Sequence, residues 1–187
     1  MSLVLDDCSD GELAALALGG RQSAYTALLH RYREPVFRVV RATIGDSDAA
    51  VDVTQEAFVS AFAALKSYDA DRPFKTWMSR IAINKCRDWA RRRAVRRFFS
   101  FALPIEAAAH VAEDIATADQ QISGRAELAR VQAAIATLPQ AIREPLVLRT
   151  IEGMTQAEAA QVLGISEKAV ETRLCRARAK LTELLRD

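Results

Sequence analysis

The chain has 187 residues, half of them hydrophobic and 27% charged, with a formal net charge of +2. Alanine, leucine, arginine and glutamate dominate, only seven glycines and five prolines interrupt them, and no segment alternates apolar with polar residues, so helices without a sheet are expected. No apolar run is long enough to span a bilayer and no secretory leader is evident. Cys8, Cys86 and Cys175 lie too far apart for a disulfide frame or zinc site, which points to reduced thiols in the cytoplasm.

In chain order, Ser9 and Glu12 fit a capping box that opens a short helix, with Leu13, Leu16 and Ala17 turned inward and Gly19-Gly20 ending it. A second helix is predicted from about residue 21 to Ile44, buried through Tyr25, Leu28, Leu29, Tyr32, Phe37 and Val40, with Pro35 expected to kink or split it and Gly45 to stop it. Asp48 is expected to cap a third helix, whose buried face carries Val51, Thr54, Phe58, Ala61, Phe62 and Leu65. Asp48, Asp52, Gln55 and Glu56 gather in its first two turns. The helix dipole alone would account for acids there; docking to a protein partner is the alternative.

A turn-rich loop, residues 66–73, leads through Pro73 into a basic helix expected to end near Arg97. Nine basic residues fall between Lys75 and Arg97 against one acid, Asp88, and Tyr68, Phe74, Trp77 and Trp89 stand among them. Cations that track phosphates beside aromatic stacking surfaces suit single-stranded nucleic acid. A loop holding Tyr68, Asp69, Asp71 and Arg72 would wall a pocket for an unstacked base. Core tryptophans and a solvated arginine face would give the same pattern.

Residues 98–123 contain no Lys or Arg but carry Glu106, Glu113, Asp114 and Asp119, so they form an expected acidic linker. From Gly124 onward, Leu128, Val131, Ile135 and Leu138 recur at helical spacing until Pro139, and residues 142–151 form the next helix, with Pro145 unexpectedly inside it. Thr155 then caps a short helix, Gly164 turns the chain and Ser166 caps a second helix buried through Val170, Leu174, Ala177 and Leu181. Its other side offers Lys168, Thr172, Cys175 and Arg176, with Arg173 on the flank. This helix-turn-helix suits a major groove, although a helical hairpin with a charged face would look alike. The layout is two small helical domains, each near the lower limit for a self-sufficient core and so expected to lean on partners.

His30 and His110 are isolated, and no nucleophile elbow, phosphate loop or metal-binding helix motif occurs, so no catalytic residues, metal or cofactor are expected.

The three signals in this order resemble an extracytoplasmic-function (ECF, group 4) RNA polymerase sigma factor, over about residues 9–185. The segment AVDVTQEAFVSAF is similar to the family's core-binding motif, with Asp52, Gln55 and Glu56 matching and Val53 and Thr54 replacing Leu and Val. YDADRPFKTWMSRIAINKCRDWARRR looks like the element that reads and melts the minus-10 DNA, and the stretch from Leu138 to Leu181 resembles the minus-35-reading domain. The resemblance implies region 2 at residues 9–97, a flexible acidic linker at 98–123 and region 4 at 124–187. It implies core polymerase binding, on the largest and second-largest subunits, through Asp48, Asp52, Gln55, Glu56, Phe58 and Phe62. Minus-10 contacts would come from Tyr68, Arg72, Phe74, Lys75, Trp77, Arg80, Asn84, Lys85 and Arg87. Minus-35 contacts would come from Ser166, Lys168, Ala169, Thr172, Arg173 and Arg176, with Glu171 lowering the positive charge there. Control by an anti-sigma factor is expected, with no membrane insertion. A helix-turn-helix regulator of another class is the alternative, but it would leave DVTQEAF and the basic aromatic helix unexplained.

Overall fold

The computed structural model describes residues 5–102 and 122–186. Most of the expected acidic linker, including its four carboxylates, Pro104 and His110, lies outside them. Among the described residues there are eight α-helices and no strand.

Helix α1 (Asp10–Leu18) opens on the expected capping box: Ser9 Oγ accepts from the Glu12 amide, and Glu12 accepts from the Ser9 amide at 2.7 Å. Helix α2 (Gln22–Ile44) ends at Gly45, whose φ of +71° is open to glycine at little cost. Pro35 does not split α2. Losing one backbone bond costs about 3 kcal/mol, and a buried face running from Leu28 to Val36, Val40 and Ile44 holds both halves to the core.

Asp46, not Asp48, caps α3 (Ser47–Ala63), accepting from the Ala49 amide at 3.0 Å. Asp48 sits in the first turn, where its charge still favours the dipole. Val51, expected in the core, is 47% exposed; the buried stripe is Ala50, Val53, Thr54, Ala57, Phe58 and Ala61. Helix α4 (Phe74–Ala102) begins right after Pro73 and continues past Arg97, so the expected boundary at residues 97 and 98 falls within a helix.

The second domain comprises α5 (Ile122–Thr137), α6 (Gln140–Thr150), α7 (Gln156–Leu163) and α8 (Glu167–Leu184). Helix α5 starts ahead of Gly124, and Leu128 is 55% exposed rather than buried. Ile135 and Leu138, farther along, do enter the core. Pro145 lies inside α6, fully within the core and without a break.

One apolar cluster joins α1–α4. The other joins α5–α8 and also takes in Val39 from α2 and Ile83 from α4, 1% and 0% exposed. Helix α4 packs on α7, and α2 on α5 and α6. The two helical domains thus pack directly on each other.

Candidate nucleic-acid interface

The helix-turn-helix is built as its sequence implies. Thr155 and Glu158 form a reciprocal capping box, Gly164 closes α7 at φ +67°, and Ser166 caps α8 by accepting from the Ala169 amide at 3.2 Å. The Gln156 amide donates to the Glu167 carbonyl at 2.9 Å, fixing the second helix against the first. Val170, Leu174 and Ala177 are buried; Ser166, Lys168, Thr172, Cys175 and Arg176 are exposed, and Ala169 and Arg173 are half-buried. Lys168 meets Glu171 at 3.6 Å with 86% of its side chain exposed. Such a pair contributes little, so the Lys168 cation is only weakly held.

The nine residues expected at the minus-10 DNA divide into four groups. Tyr68, Arg72, Trp77, Arg80 and Asn84 line one open cleft of about 480 Å³ between the loop and α4. Tyr68 donates to the Arg72 carbonyl at 2.8 Å and lies 5.3 Å from the Trp77 ring, so two aromatic faces border the cleft. Burial, aided by the Asp10 and Asp69 charges, holds the Tyr68 phenol above its ordinary pKa, so it keeps its proton. Phe74 is wholly buried and meets Tyr68 edge-on at 5.1 Å and Trp77 at 5.3 Å; it supports the two aromatics that border the cleft and, contrary to expectation, offers no face to a strand. Lys85 borders a separate hollow with Asp52, Gln55 and Glu56 of α3.

Lys75 and Arg87 face the second domain. Arg87 forks onto Glu144 of α6, Nε to Oε1 at 2.9 Å and Nη2 to Oε2 at 2.6 Å, while Gln140 donates to the same carboxylate at 2.7 Å. The fork with Glu144 holds the Arg87 guanidinium above its ordinary pKa. Lys75 donates to the Glu152 carbonyl at 2.7 Å and meets its carboxylate at 3.3 Å. These two acids were not anticipated as functional from sequence, and nothing in their spacing distinguishes them from surface carboxylates.

Trp89 is half-buried against the first core, with the Arg93 guanidinium 5.0 Å above its ring. Trp77 is likewise half-buried against that core, so each tryptophan packs on one side and is open on the other.

On the opposite side, α2 and α3 frame an apolar groove of about 580 Å³, lined by Leu29, Phe37, Val51, Phe58, Val59 and Phe62 with Gln55 among them. Phe62 meets Tyr25 edge-on at 5.0 Å, and Val59 is 69% exposed. Val51 and Val59 were the missed members. Their eight-residue spacing, with Gln55 midway, marks a second stripe on the α3 surface. Asp48 and Asp52 are exposed nearby, and Glu56 pairs with Arg92 at 3.0 Å.

Cys86 is buried, and burial followed by the Glu144 charge pushes its thiol up to about 12, which keeps it protonated and unreactive. Cys175 is exposed on α8. Among the described residues no group of three His, Cys, Asp or Glu side chains could hold a metal, and no helix is long and apolar enough to cross a membrane.

Residues 28–97 match the family described as Sigma-70 region 2, and residues 128–181 match Sigma-70, region 4. The chain is 45% identical to the RNA polymerase sigma factor CnrH of Cupriavidus metallidurans over 95% of its own length and 94% of that protein's. It is 32% identical to the ECF RNA polymerase sigma factor SigM of Mycobacterium tuberculosis, covering 95% of this chain and 85% of the other. A solved structure of CnrH in complex with the cytosolic domain of CnrY superposes with a TM-score of 0.70 at 38% identity, over 94% of this chain and 96% of that one. With both matched regions falling on the two helical domains in order, the chain belongs to the ECF RNA polymerase sigma factors.

Proposed function

We propose that this chain docks on core RNA polymerase through the α2–α3 groove and directs initiation by reading a minus-35 element with α8 and a minus-10 element with the Tyr68–Asn84 cleft. The observation that carries this assignment is that cleft. Two aromatic faces, two guanidinium groups and the Asn84 amide converge on one opening large enough for a nucleobase. Extruding a base costs a few kcal/mol, and stacking on an aromatic side chain returns about 1–3 kcal/mol per base. A captured base therefore nearly offsets its own unpairing.

In the groove, Val51, Val59 and Phe62 offer apolar area to a polymerase helix while Asp48, Asp52 and Gln55 supply its polar rim, an arrangement typical of helix-in-groove recognition; Phe58, expected to make contact itself, is 4% exposed and supports the groove from within the core. On α8, Lys168, Thr172 and Arg176 stand opposite the buried stripe and would face base edges, with Arg173, Ser166 and Ala169 close to the sugar-phosphate backbone. Residues 9–97 and 124–187 act as the two promoter-reading units and residues 98–123 as the connection between them. The chain contributes no catalytic step of its own; bond formation belongs to the polymerase. The site of action is the cytoplasm, and an anti-sigma factor comparable to the CnrY domain bound to CnrH is the expected regulator.

The test is transcription reconstituted from core polymerase, this chain and a library of promoter fragments. Promoter-specific transcripts, lost on Trp77→Ala and on Phe62→Ala, are the expected result. Failure to bind core enzyme or to yield any specific start would overturn the assignment.

A further inference from the structure

We infer that Asp10, the first residue of α1, is a positioning residue for minus-10 capture: through Tyr32 and Phe74 it sets the Tyr68 and Trp77 rings on which an extruded base would stack. This inference rests on the functional assignment above and adds to it residues, remote from the DNA, that decide how well the cleft grips a base.

The connection is continuous. Asp10 turns both carboxylate oxygens to α2: Oδ1 accepts from Arg31 at 2.6 Å and Oδ2 from the Tyr32 hydroxyl. Arg31 also donates to the Cys8 carbonyl at 3.1 Å, which fixes the chain as it enters α1. Burial, followed by the hydrogen bond to Asp10, raises the Tyr32 phenol well above its ordinary pKa, so it stays a donor. The Tyr32 ring lies 4.9 Å from Phe74, and Phe74 lies 5.1 and 5.3 Å from Tyr68 and Trp77, the two rings that border the cleft. A second route runs along the loop. Helix α1 packs on the single turn Leu65–Ser67, and a Cβ placed on Gly11 would come within 3.2 Å of the Ala70 Cβ. Glycine there lets the loop between Tyr68 and Arg72 rest directly on α1.

Apolar packing already anchors α1, through Leu13, Ala14 and Ala17. An acid with 23% of its side chain exposed is not needed for that anchorage, and drawing a carboxylate partly out of water costs free energy unless its acceptors are filled. What Asp10 adds is orientation. Phe74 has no polar group to hold it, so its ring settles where its neighbours place it. Aromatic pairs keep edge and offset geometries at centroid separations of about 4.5–7 Å, and a close-packed interior passes a shift along rather than absorbing it. A Tyr32 ring tethered at its hydroxyl therefore fixes Phe74, which in turn fixes the stacking pair before DNA arrives. Such preorganisation strengthens binding by removing an ordering cost at the moment of capture.

The experiment uses the full chain bound to core polymerase. Its probe is the fluorescent non-template minus-10 strand of a promoter recovered in the reconstitution above, intact and made abasic at each position in turn. The ratio of the two affinities isolates the captured base, and a general loss of stability does not enter it. A base stacked in the cleft should give the wild type a ratio of about 5- to 140-fold at one position. Tyr32→Phe, which keeps the ring and loses the tether, and Asp10→Asn should each lower that ratio by about two- to tenfold, while the abasic strand binds all three chains alike. Glu12→Gln weakens the α1 cap in the same turn without touching the tether, and should keep the wild-type ratio. If Asp10→Asn fails to fold, Tyr32→Phe carries the test. Unchanged ratios in the folded variants, or an equal loss in Glu12→Gln, would overturn the positioning role alone. A wild type that initiates but shows no base-sensitive position would overturn both the cleft as the capture site and the positioning role. Absence of any specific initiation would overturn the functional assignment itself.

Discussion

Phe74 separates a strand-contacting aromatic from a structural one. Its side chain is wholly buried, with ring centroids of Tyr32, Tyr68 and Trp77 at 4.9, 5.1 and 5.3 Å. Truncating a buried phenylalanine to alanine costs about 3–5 kcal/mol, the loss of its aromatic contacts included. Against a total stability of about 5–15 kcal/mol, Phe74→Ala should therefore remove a large share. At about 2–4 °C per kcal/mol for a chain of this size, the melting temperature should fall by roughly 6–20 °C. Phe74→Leu, which keeps most of the volume, should recover most of that loss. Trp77→Ala, at a half-buried position that borders the cleft, should cost less stability and more promoter opening. Circular dichroism melts, paired with permanganate footprinting of opened thymines, measure both quantities. A Phe74→Ala chain that melts within about two degrees of wild type yet fails to open DNA would refute the assignment of Phe74 to the core.

Arg173→Ala should weaken promoter binding and lower the slope of log affinity against log salt by about 1, as loss of one phosphate contact requires, whereas Arg176→Ala should relax sequence preference at the base it faces; fluorescence anisotropy across a salt series and a set of promoter variants checks this. Gly164→Ala should cost about 1–2 kcal/mol, because φ is +67° while no atom lies within 4 Å of an added Cβ; the penalty is backbone strain alone, so Gly164→Asn should recover part of it in a thermal melt. The Glu12 and Glu158 carboxyls are both held below their ordinary 4.5 by backbone hydrogen bonds from Ser9 and Thr155. Depressed folded values mean that this stability is present above about pH 4.5 and lost as pH falls through the folded pKa. Melts taken from about pH 6 down to pH 3 should show a shallower loss for Glu158→Gln than for wild type, and an equal loss would contradict the capping role. Thr155→Ala should cost about 1 kcal/mol at neutral pH, read in the same melts.

Local signals carried most of the architecture. The capping boxes at Ser9 and Thr155, the left-handed glycines at 45 and 164 and the α8 stripe depend on contacts within a few residues, and each stands where its spacing implies. Errors arose where a neighbour outside the local window decided the outcome. Asp46 and Asp48 are equivalent as caps in isolation, and only the path of the chain from Gly45 gives the role to Asp46. Pro35 and Pro145 obey local rules for breaking a helix, yet tertiary packing on both sides keeps α2 and α6 continuous. Phe74 shows the same limit: an aromatic beside cations is equally suited to stack on a base or to support the residue that does.

The least legible feature was the pairing of the two domains, and its obscurity has a physical cause. A basic helix in one domain and two carboxylates some sixty to eighty residues away show no periodicity relative to each other, so nothing local links Arg87 to Glu144 or Lys75 to Glu152. The near-neutral net charge of +2 shows that acids elsewhere balance the basic helix, but not which of them face it. Glu144 and Glu152 are buried while Arg87 and Lys75 keep about a third of their side chains in water, so each pair satisfies a withdrawn carboxylate, and solvent screens part of the attraction.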